Sequence, residues 1–564
     1  MKGLFILENQ FSSLLELYRI AAMGHPNEYS QLFWGEIPSS FKMIKKVMKN
    51  RSKILDLKLF SDNIEAFRQL ILDRHGRLGT QTEQVKEALN RLDKGFLDVG
   101  HQPLLFGGSL FLINKLSLAE WLGNFLDVGT YFFIGDHDSI QNELTISRLP
   151  QANSPTGLEI FPSSWGVPEG TPTYKVPIPE QKWLLQVKHK IQDNIRSLMK
   201  YAKVRVEYRQ LLLERFYSWF DLIYESAIST EDFSFWTQKI WSQLFNVRCD
   251  MNLFLGSASD PNYRKLVLPA FEFLLTESNR SKYIETLNDT REKIISLNLS
   301  PGLPHRDEGY VPFFLECLKC PNKTRTELTI PKPGVLEGKC PICSEVYSFS
   351  YNTKNPDLSE IEANISPRSD SRALVNNFTL PLLVHIGGAG ETQYYSAVIP
   401  AMNRLKINPP ILIRSNRVHY NTPWAEKSAQ MRENPVLGET VYEIFDVYNK
   451  STDLKIIQSS LDQMRVYLDS KYADELTQLD EYLKKLKTSP QNKELRKNIQ
   501  RVELMLSHNF GRYAPNKKAS EVSWNWLDLA ILTGIHKISD IFQRQIKENA
   551  FLGYTWYITP GKFT

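Results

Sequence analysis

The chain has 564 residues, 23% of them charged and 42% hydrophobic, with a formal net charge of +5. That length exceeds what one hydrophobic core serves and points to several domains, and the balance excludes a disordered chain. The small positive charge lacks the concentrated basic stripe of a nucleic-acid binder, and no window approaches the eighteen or so apolar residues of a membrane span. The apolar run in the N-terminal MKGLFILENQ is too short for a signal peptide. Four of the five cysteines lie in one paired cluster, which favours a reducing, cytoplasmic setting and a metal over disulfides.

Residues 1–95 read as a helical lead-in whose role is packing, with amphipathic stretches over 11–22, 65–72 and 82–92. Residues 96–180 read as the first half of an α/β core. The run Leu97 to Phe106 is apolar and short, as a buried parallel strand should be, and Gly107-Gly108 stops it. Ser109 can cap a following helix whose apolar positions Leu112, Leu116, Ala119 and Leu122 recur at helical spacing, with Gly123 ending the run. A second apolar run, Thr130 to Ile134, delivers Asp136, His137 and Asp138 at its carboxyl end, where ligands bind in open α/β sheets. Two glycines before a helix also let backbone amides approach an anion. An ordinary βαβ unit with a polar loop explains the same spacing equally well.

Asn142 to Arg148 alternates like a strand, and the Pro- and Gly-rich stretch to Pro179 reads as an irregular connection. Residues 181–310 read as a helical connecting insertion, with one long helix from Gln181 to Leu222. Within 311–352, Cys317-Leu-Lys-Cys320 and Cys340-Pro-Ile-Cys343 form two CxxC pairs around a predicted hairpin, a zinc-ribbon pattern. Four thiolates close the coordination sphere, so the metal is expected to be structural. Cys249 stands alone and reads as packing.

Residues 353–435 read as the second half of the core. A helix over 374–380 leads to the apolar strand Leu380 to Ile386, then Gly387-Gly388-Ala389-Gly390-Glu391 and a helix to Met402. A short strand, Pro409 to Ile413, ends in Arg414 and Ser415. From 436 to 510 the period changes. Leu476, Leu479, Leu483 and Leu486 before Pro490, and Leu495, Ile499, Val502 and Leu506 after it, predict two helices folded back as an antiparallel coiled-coil hairpin. The hairpin is expected to dimerise the chain, although packing on its own chain fits the same spacing. Residues 511–564 return as a helix and a short strand packed on the core.

These junctions, in order, resemble the bacillithiol-biosynthesis cysteine ligases of the BshC type. The runs that carry the resemblance are Val99 to Lys115, Gly135-Asp-His-Asp138, Ser366-Pro-Arg-Ser-Asp-Ser-Arg372, Gly387-Gly-Ala-Gly-Glu391 and Pro410-Ile-Leu-Ile-Arg-Ser415. The resemblance implies a Rossmann-like core related to class I aminoacyl-tRNA synthetases, and a reaction joining cysteine to glucosaminyl-malate through an amide. Forming an amide from a free carboxylate requires activation, so ATP or another nucleotide is an expected cofactor beside structural zinc. By matching position, His101, Gln102, Gly107, Gly108, Arg372, Gly387, Gly388, Gly390, Arg414 and Ser415 would bind substrate or nucleotide. Lys115, Asp136, His137, Asp138 and Glu391 would form the catalytic set. Lys115 and Arg414 would meet anionic groups, and His137 would act as the acid/base, since imidazole titrates near neutrality. The chain departs from the family pattern at Val99 and His101, at Gly135 and Ser109, and in carrying the zinc ribbon at all. A non-catalytic RNA- or nucleotide-binding protein on a degenerate core of this type is the alternative, with Lys319, Lys323 and Arg325 beside the ribbon as its support.

Overall fold

The computed structural model describes residues 11, 13–51, 56–152, 154–162, 165–230, 232–420, 422–429, 473–500, 520–546, 556–558 and 563. At its centre lies a five-stranded parallel sheet. Its strands are β1 (Phe96–His101) and β2 (Gly129–Ile134), which follow each other directly, and three that arrive later in the chain. Between β2 and those three come the antiparallel hairpin β3 (Ser147–Gln151) and β4 (Ser154–Ile160). The later core strands are β5 (Phe254–Ser257), β11 (Leu382–Gly387) and β12 (Ile411–Arg414), giving the spatial order β12-β11-β1-β2-β5. The sheet grows one way from β1 through β2 to β5 and the other way through β11 to β12. The switch therefore falls between β1 and β11, and it is beyond the carboxyl ends of such strands that an open parallel sheet leaves a crevice.

A second, antiparallel sheet is built from β6 (Tyr310–Glu316), β7 (Arg325–Lys332), β8 (Val335–Lys339), β9 (Val346–Ser350) and β10 (Ile365–Pro367), in the order β10-β6-β7-β8-β9. The CxxC pairs occupy the β6–β7 and β8–β9 turns, so both face the same end of this sheet. Near the carboxyl end, β13 (Val418–Tyr420) pairs in parallel with β14 (Trp556–Ile558).

The first two helices, Leu14–Ala22 and Glu28–Trp34, pack on the β11–β12 side, as two long-range bonds show, whereas Ser61–Leu78 packs at the β5 edge. Tyr18 donates its hydroxyl to the Leu412 carbonyl at 2.9 Å, and the Trp34 indole donates to the Thr392 carbonyl at 2.9 Å. The helix Leu110–Leu126 is apolar on nearly every face and buries twelve residues, because the parallel sheet covers one side and the helix Ile538–Gln543 another.

Several elements differ from the sequence reading. β1 ends at His101 rather than Phe106, since Pro103 has no N–H to continue a ladder, and Leu105–Gly107 forms a 3-10 turn. Gly123 does not end its helix, which runs on to Leu126 and closes at Asp127 in the left-handed region. Ser109 stands at the N-cap without a side-chain capping bond. Asn142 to Arg148 is a helical turn, Asn142–Thr145, followed by the start of β3, and the stretch read as irregular contains β4. The long helix from Gln181 is two helices, Gln181–Tyr201 and Val206–Ile228, broken where Lys203 takes φ +52°. β5 emerges from the span read as a mostly helical insertion. Its four residues FLGS are too short to announce a strand, and its pairing with β2 makes it one.

Of the hairpin expected over 436–510, the helix Ala473–Thr488 and a helical stretch over 493–500 are described. The Asn492 side chain caps the second by accepting from the Leu495 amide at 3.0 Å, and Leu479, Leu483, Leu495 and Ile499 are buried. The outer parts, Val502 and Leu506 included, lie outside the described residues.

Candidate active site and metal centre

The cavity at the switch has a volume of about 1150 Å³ and is lined by the end of β1 and by the residues just past β11 and β2. That exceeds an ordinary single-ligand pocket of up to roughly 1,000 Å³. Its floor is a charged cluster centred on Glu391, which the helix Ala389–Arg404 carries in its first turn. The Glu391 carboxylate accepts from the Gly388 amide at 2.6 Å and from Lys115 Nζ at 2.8 Å, and lies 3.3 Å from His385 Nε2 and 3.6 Å from Arg372 Nη2. His385 in turn meets Asp98 through Nδ1 at 2.6 Å, and its ring stacks on Tyr395 with centroids 4.6 Å apart. Burial opposes charge on both sides of this chain of contacts. The neighbouring carboxylates nevertheless hold His385 above the ordinary imidazole range, and Lys115, His385 and Arg372 hold Glu391 well below the carboxylate range. The cluster thus sets two carboxylates, Glu391 and Asp98, against Lys115, Arg372 and an imidazole whose protonated form those carboxylates favour. Fixed cations such as Lys115 and Arg372 at the floor of a cavity suit an anionic substrate group or charge that develops during reaction.

Asp98 and His385 are absent from the sequence reading. Each was visible as a lone polar residue in an apolar strand, LDVGH and LLVHI, and parallel pairing makes them register partners. Tyr394, which accepts from Arg372 at 2.6 Å, and Arg368, which pairs with Glu327 at 3.0 Å, also line the cavity unforeseen.

The second wall is the loop after β2. His137 is buried there, its Nε2 3.6 Å from Asp138 Oδ1. Burial pushes its pKa down to about 4, so the ring is neutral at neutral pH and a weaker base than a free imidazole, unlike the near-neutral titration expected from the residue type. Asp138 accepts from Gln102 Nε2 at 3.1 Å and from Arg325 Nη1 at 2.9 Å. His101 donates from Nδ1 to the Gln102 carbonyl at 3.0 Å, which leaves Nε2 as the acceptor, and burial takes it also to about 4.

Thus His101, Gln102, Gly108, Lys115, His137, Asp138, Arg372, Gly388, Gly390 and Glu391 all line one cavity. The remaining expected residues do not. Asp136 is fully buried and accepts from Ser234, Gln238, Ser257 and Ser259, which makes its carboxylate the anchor of the β2–β5 edge. Gly107 packs under the Trp241 and Trp526 indoles; Trp241 donates to its carbonyl at 3.0 Å, while Trp526 donates to the neighbouring Phe106 carbonyl at 2.8 Å. The Leu110 amide at that helix start bonds the Trp524 carbonyl at 3.2 Å, so the first glycine junction presents no amide cradle there. Gly387 is buried and receives the Ser415 amide at 3.0 Å. Arg414 and Ser415 are buried behind it, the Arg414 amide bonding Tyr18, and Arg417 is the cation that reaches the cavity from this edge. Arg414 sits on a strand buried on both faces, which a single sequence does not reveal. Cys249 donates to the Ile535 carbonyl, in keeping with packing.

The four ribbon cysteines place their sulfurs within 4.8 Å of one another. Cys317 and Cys343 are 3.5 Å apart and Cys320 and Cys340 3.7 Å, against about 3.8 Å for the edge of a zinc–thiolate tetrahedron. The Cys320 amide donates to Cys317 Sγ at 3.2 Å, as a metal-binding knuckle requires. This cluster can hold a metal ion. No helix among the described residues is long and apolar enough to cross a membrane.

The structure thus combines a mixed α/β architecture with a polar, charged cavity at the switch of a parallel sheet. No family model matches the chain. Two proteins described as "Putative cysteine ligase BshC", from two strains of Bacillus cereus, are each 23% identical over 267 residues, which are 46% of this chain and 46% of the relative. A third of the same description, from another strain, is 25% identical over 163 residues, 29% of this chain and 28% of its own. The chain therefore matches under half the length of these curated relatives, and the similarity supports kinship with BshC-like cysteine ligases.

Proposed function

We propose that the protein is a carbon–nitrogen ligase that joins cysteine, or a similar amino acid, to an amine-bearing metabolite such as glucosaminyl-malate. The observation that carries this reading is the Lys115–Glu391–His385–Asp98–Arg372 cluster at the sheet switch, met by a neutral His137 on the facing wall. Amide formation needs an activated carboxylate and an amine freed of its proton. Lys115 and Arg372 at the cavity floor stabilise the carboxylate and the charge that builds on its oxygens, with ATP or another nucleotide as the activating partner. His137, unprotonated at neutral pH, accepts a hydrogen bond from the attacking amine and takes its proton as C–N bond formation makes that nitrogen acidic. The cavity volume leaves room for donor and acceptor together.

The metal is zinc, held by Cys317, Cys320, Cys340 and Cys343. Four thiolates leave no open position, so it cross-links the ribbon and takes no part in the chemistry. The domain limits follow the sequence reading, with β5 added to the core, and the hairpin over 436–510 joins two copies in the cytoplasm. Sedimentation that reports only monomer at high concentration would remove the dimer. The RNA-binding reading loses support because its basic residues are engaged: Lys319 with Glu345, Lys323 with Asn364 and Arg325 with Asp138.

Mass spectrometry of mixtures containing cysteine, ATP and candidate amines tests the function. The expected result is an amide product that requires both cysteine and nucleotide. Absence of product with every amine, together with salt-sensitive RNA binding, would reverse the assignment.

A further inference from the structure

The four-cysteine ribbon touches the cavity wall by two routes. One is backbone and loop. Asn322, two residues past Cys320, donates to Thr171 Oγ1 at 2.9 Å, and the Arg325 amide donates to the Gly170 carbonyl at 3.4 Å. The loop so held grips the residues after β2: the Ile140 amide bonds the Thr171 carbonyl at 2.8 Å, and the Thr173 amide bonds the Asp138 carbonyl at 2.9 Å. The other route is a single side chain. Arg325 opens β7, five residues past Cys320, and its guanidinium lies 4.0 Å over the Phe314 ring. From there Nη1 donates to Asp138 Oδ1 at 2.9 Å and Nη2 to the Pro367 carbonyl at 3.3 Å. Asp138 Oδ1 is the same oxygen that lies 3.6 Å from His137 Nε2. The guanidinium and the imidazole therefore face one acceptor, and the guanidinium is the closer.

We propose that the ribbon is a working arm of the cavity, in which Arg325 is a positioning residue that occupies the Asp138 oxygen facing His137 and so withholds that carboxylate from the ring, while the bound metal holds Arg325 in place. The charged groups around His137 are Asp138 and Asp136 on its own loop, Arg325 from β7 and Arg372 from the helix Ser369–Thr379. Asp136 is already bound by four side chains and Arg372 is committed to Tyr394 and Glu391. Arg325 is the one of these cations that bonds Asp138 directly. Without it the Asp138 carboxylate turns its full charge on the ring, which raises the proton affinity of His137. The ribbon cysteines lie on turns whose closure fixes the start of β7, since the Cys317 amide bonds the Thr324 carbonyl at 2.8 Å. Loosening those turns moves Arg325.

The test reads the His137 ring itself, by imidazole nitrogen NMR of the full-length metal-loaded protein labelled at histidine, with H137Q assigning the signal. R325Q is expected to raise the His137 midpoint by about one pH unit or more, about tenfold in proton affinity. R325K keeps the charge and is expected to shift it less. Wild-type protein stripped of metal by a chelator is expected to shift in the direction of R325Q; if it unfolds, C343S, which removes the exposed thiolate, takes its place. An unmoved midpoint in R325Q overturns the proposal, as do equal shifts in R325Q and R325K, or a shift in R325Q that metal removal fails to reproduce. Should R325Q not fold, R325K and the stripped protein decide by the same criteria. The measurement needs no substrate, so it stands apart from the ligase assignment: turnover with an unmoved midpoint defeats only this inference, and a moved midpoint without turnover defeats only the other.

Discussion

At the scale of single residues, the most telling position is Lys115. It sits mid-helix as the one cation of a largely apolar segment, with its side chain 1% exposed, and its ammonium reaches Glu391 at 2.8 Å and the Gly100 carbonyl at 3.3 Å. Removing one partner of a buried pair leaves the other desolvated and uncompensated, which costs about 3–5 kcal/mol in the general case. Lys115→Met is expected to lose about 3 kcal/mol of stability, somewhat softened because His385 and Arg372 still face Glu391. Urea unfolding checks this, and a change under about 0.5 kcal/mol would show that the pair is not what holds the floor. The helical spacing around Lys115 was readable from the chain, and so was its oddity as a lone cation there. Its partner was not readable, because 276 residues separate the two and only the β1–β11 pairing brings them together.

At the scale of elements, Gly123 shows how a local signal can mean something other than its usual sense. A glycine after a periodic apolar run reads as a helix stop. Here the helix continues to Leu126, and Gly123 lets it lie against β2: a Cβ at this site would stand 2.0 Å from Thr130 Oγ1 and 3.3 Å from Thr130 Cβ. Gly123→Ala gains helix propensity but must push the helix off the strand. The net expectation is a destabilisation of about 1–3 kcal/mol, the usual range for overpacking, seen as an earlier thermal transition. An unchanged or raised transition would mean that the contact yields freely. The CxxC pairs are the opposite case. Their meaning is local, since two thiolates per turn suffice to define a knuckle, and the structure brings the four together as their spacing predicts.

At the scale of the whole molecule, buried histidines make stability depend on pH. His75, His101 and His137 are each pushed down to about 4 by burial, and His75 is held neutral by accepting the Leu255 amide at 3.0 Å on Nε2. The unfolded chain binds protons on these rings below about 6.5, while the native chain refuses them until about 4. Their contribution is therefore complete above about 6.5 and drains away as pH falls through that window. His385 has the opposite sign. Its raised value contributes stability that is complete below the unfolded value and lost as pH rises through the native one. Urea midpoints are expected to fall steeply between about pH 6.5 and about pH 4.5, and to fall less steeply in His75→Gln. A flat profile over that interval would contradict the assignment of these rings as neutral.

The sequence by itself determined what depends on neighbours in the chain. Apolar periodicity marked most core elements, the glycines marked two strand-to-helix junctions, and paired cysteines marked the ribbon. The resemblance to BshC-type ligases read from the sequence rested on those same short ordered runs. Tertiary structure alone decided which polar residues meet. It made β5 a core strand through its pairing with β2, and it set Asp98 opposite His385. It turned Arg414 inward and Arg417 to the cavity, and bound Arg325 of the ribbon to Asp138. The physical reason is range: propensity and capping act over a few residues, while the desolvation and charge pairing that define this cavity join groups up to 287 positions apart.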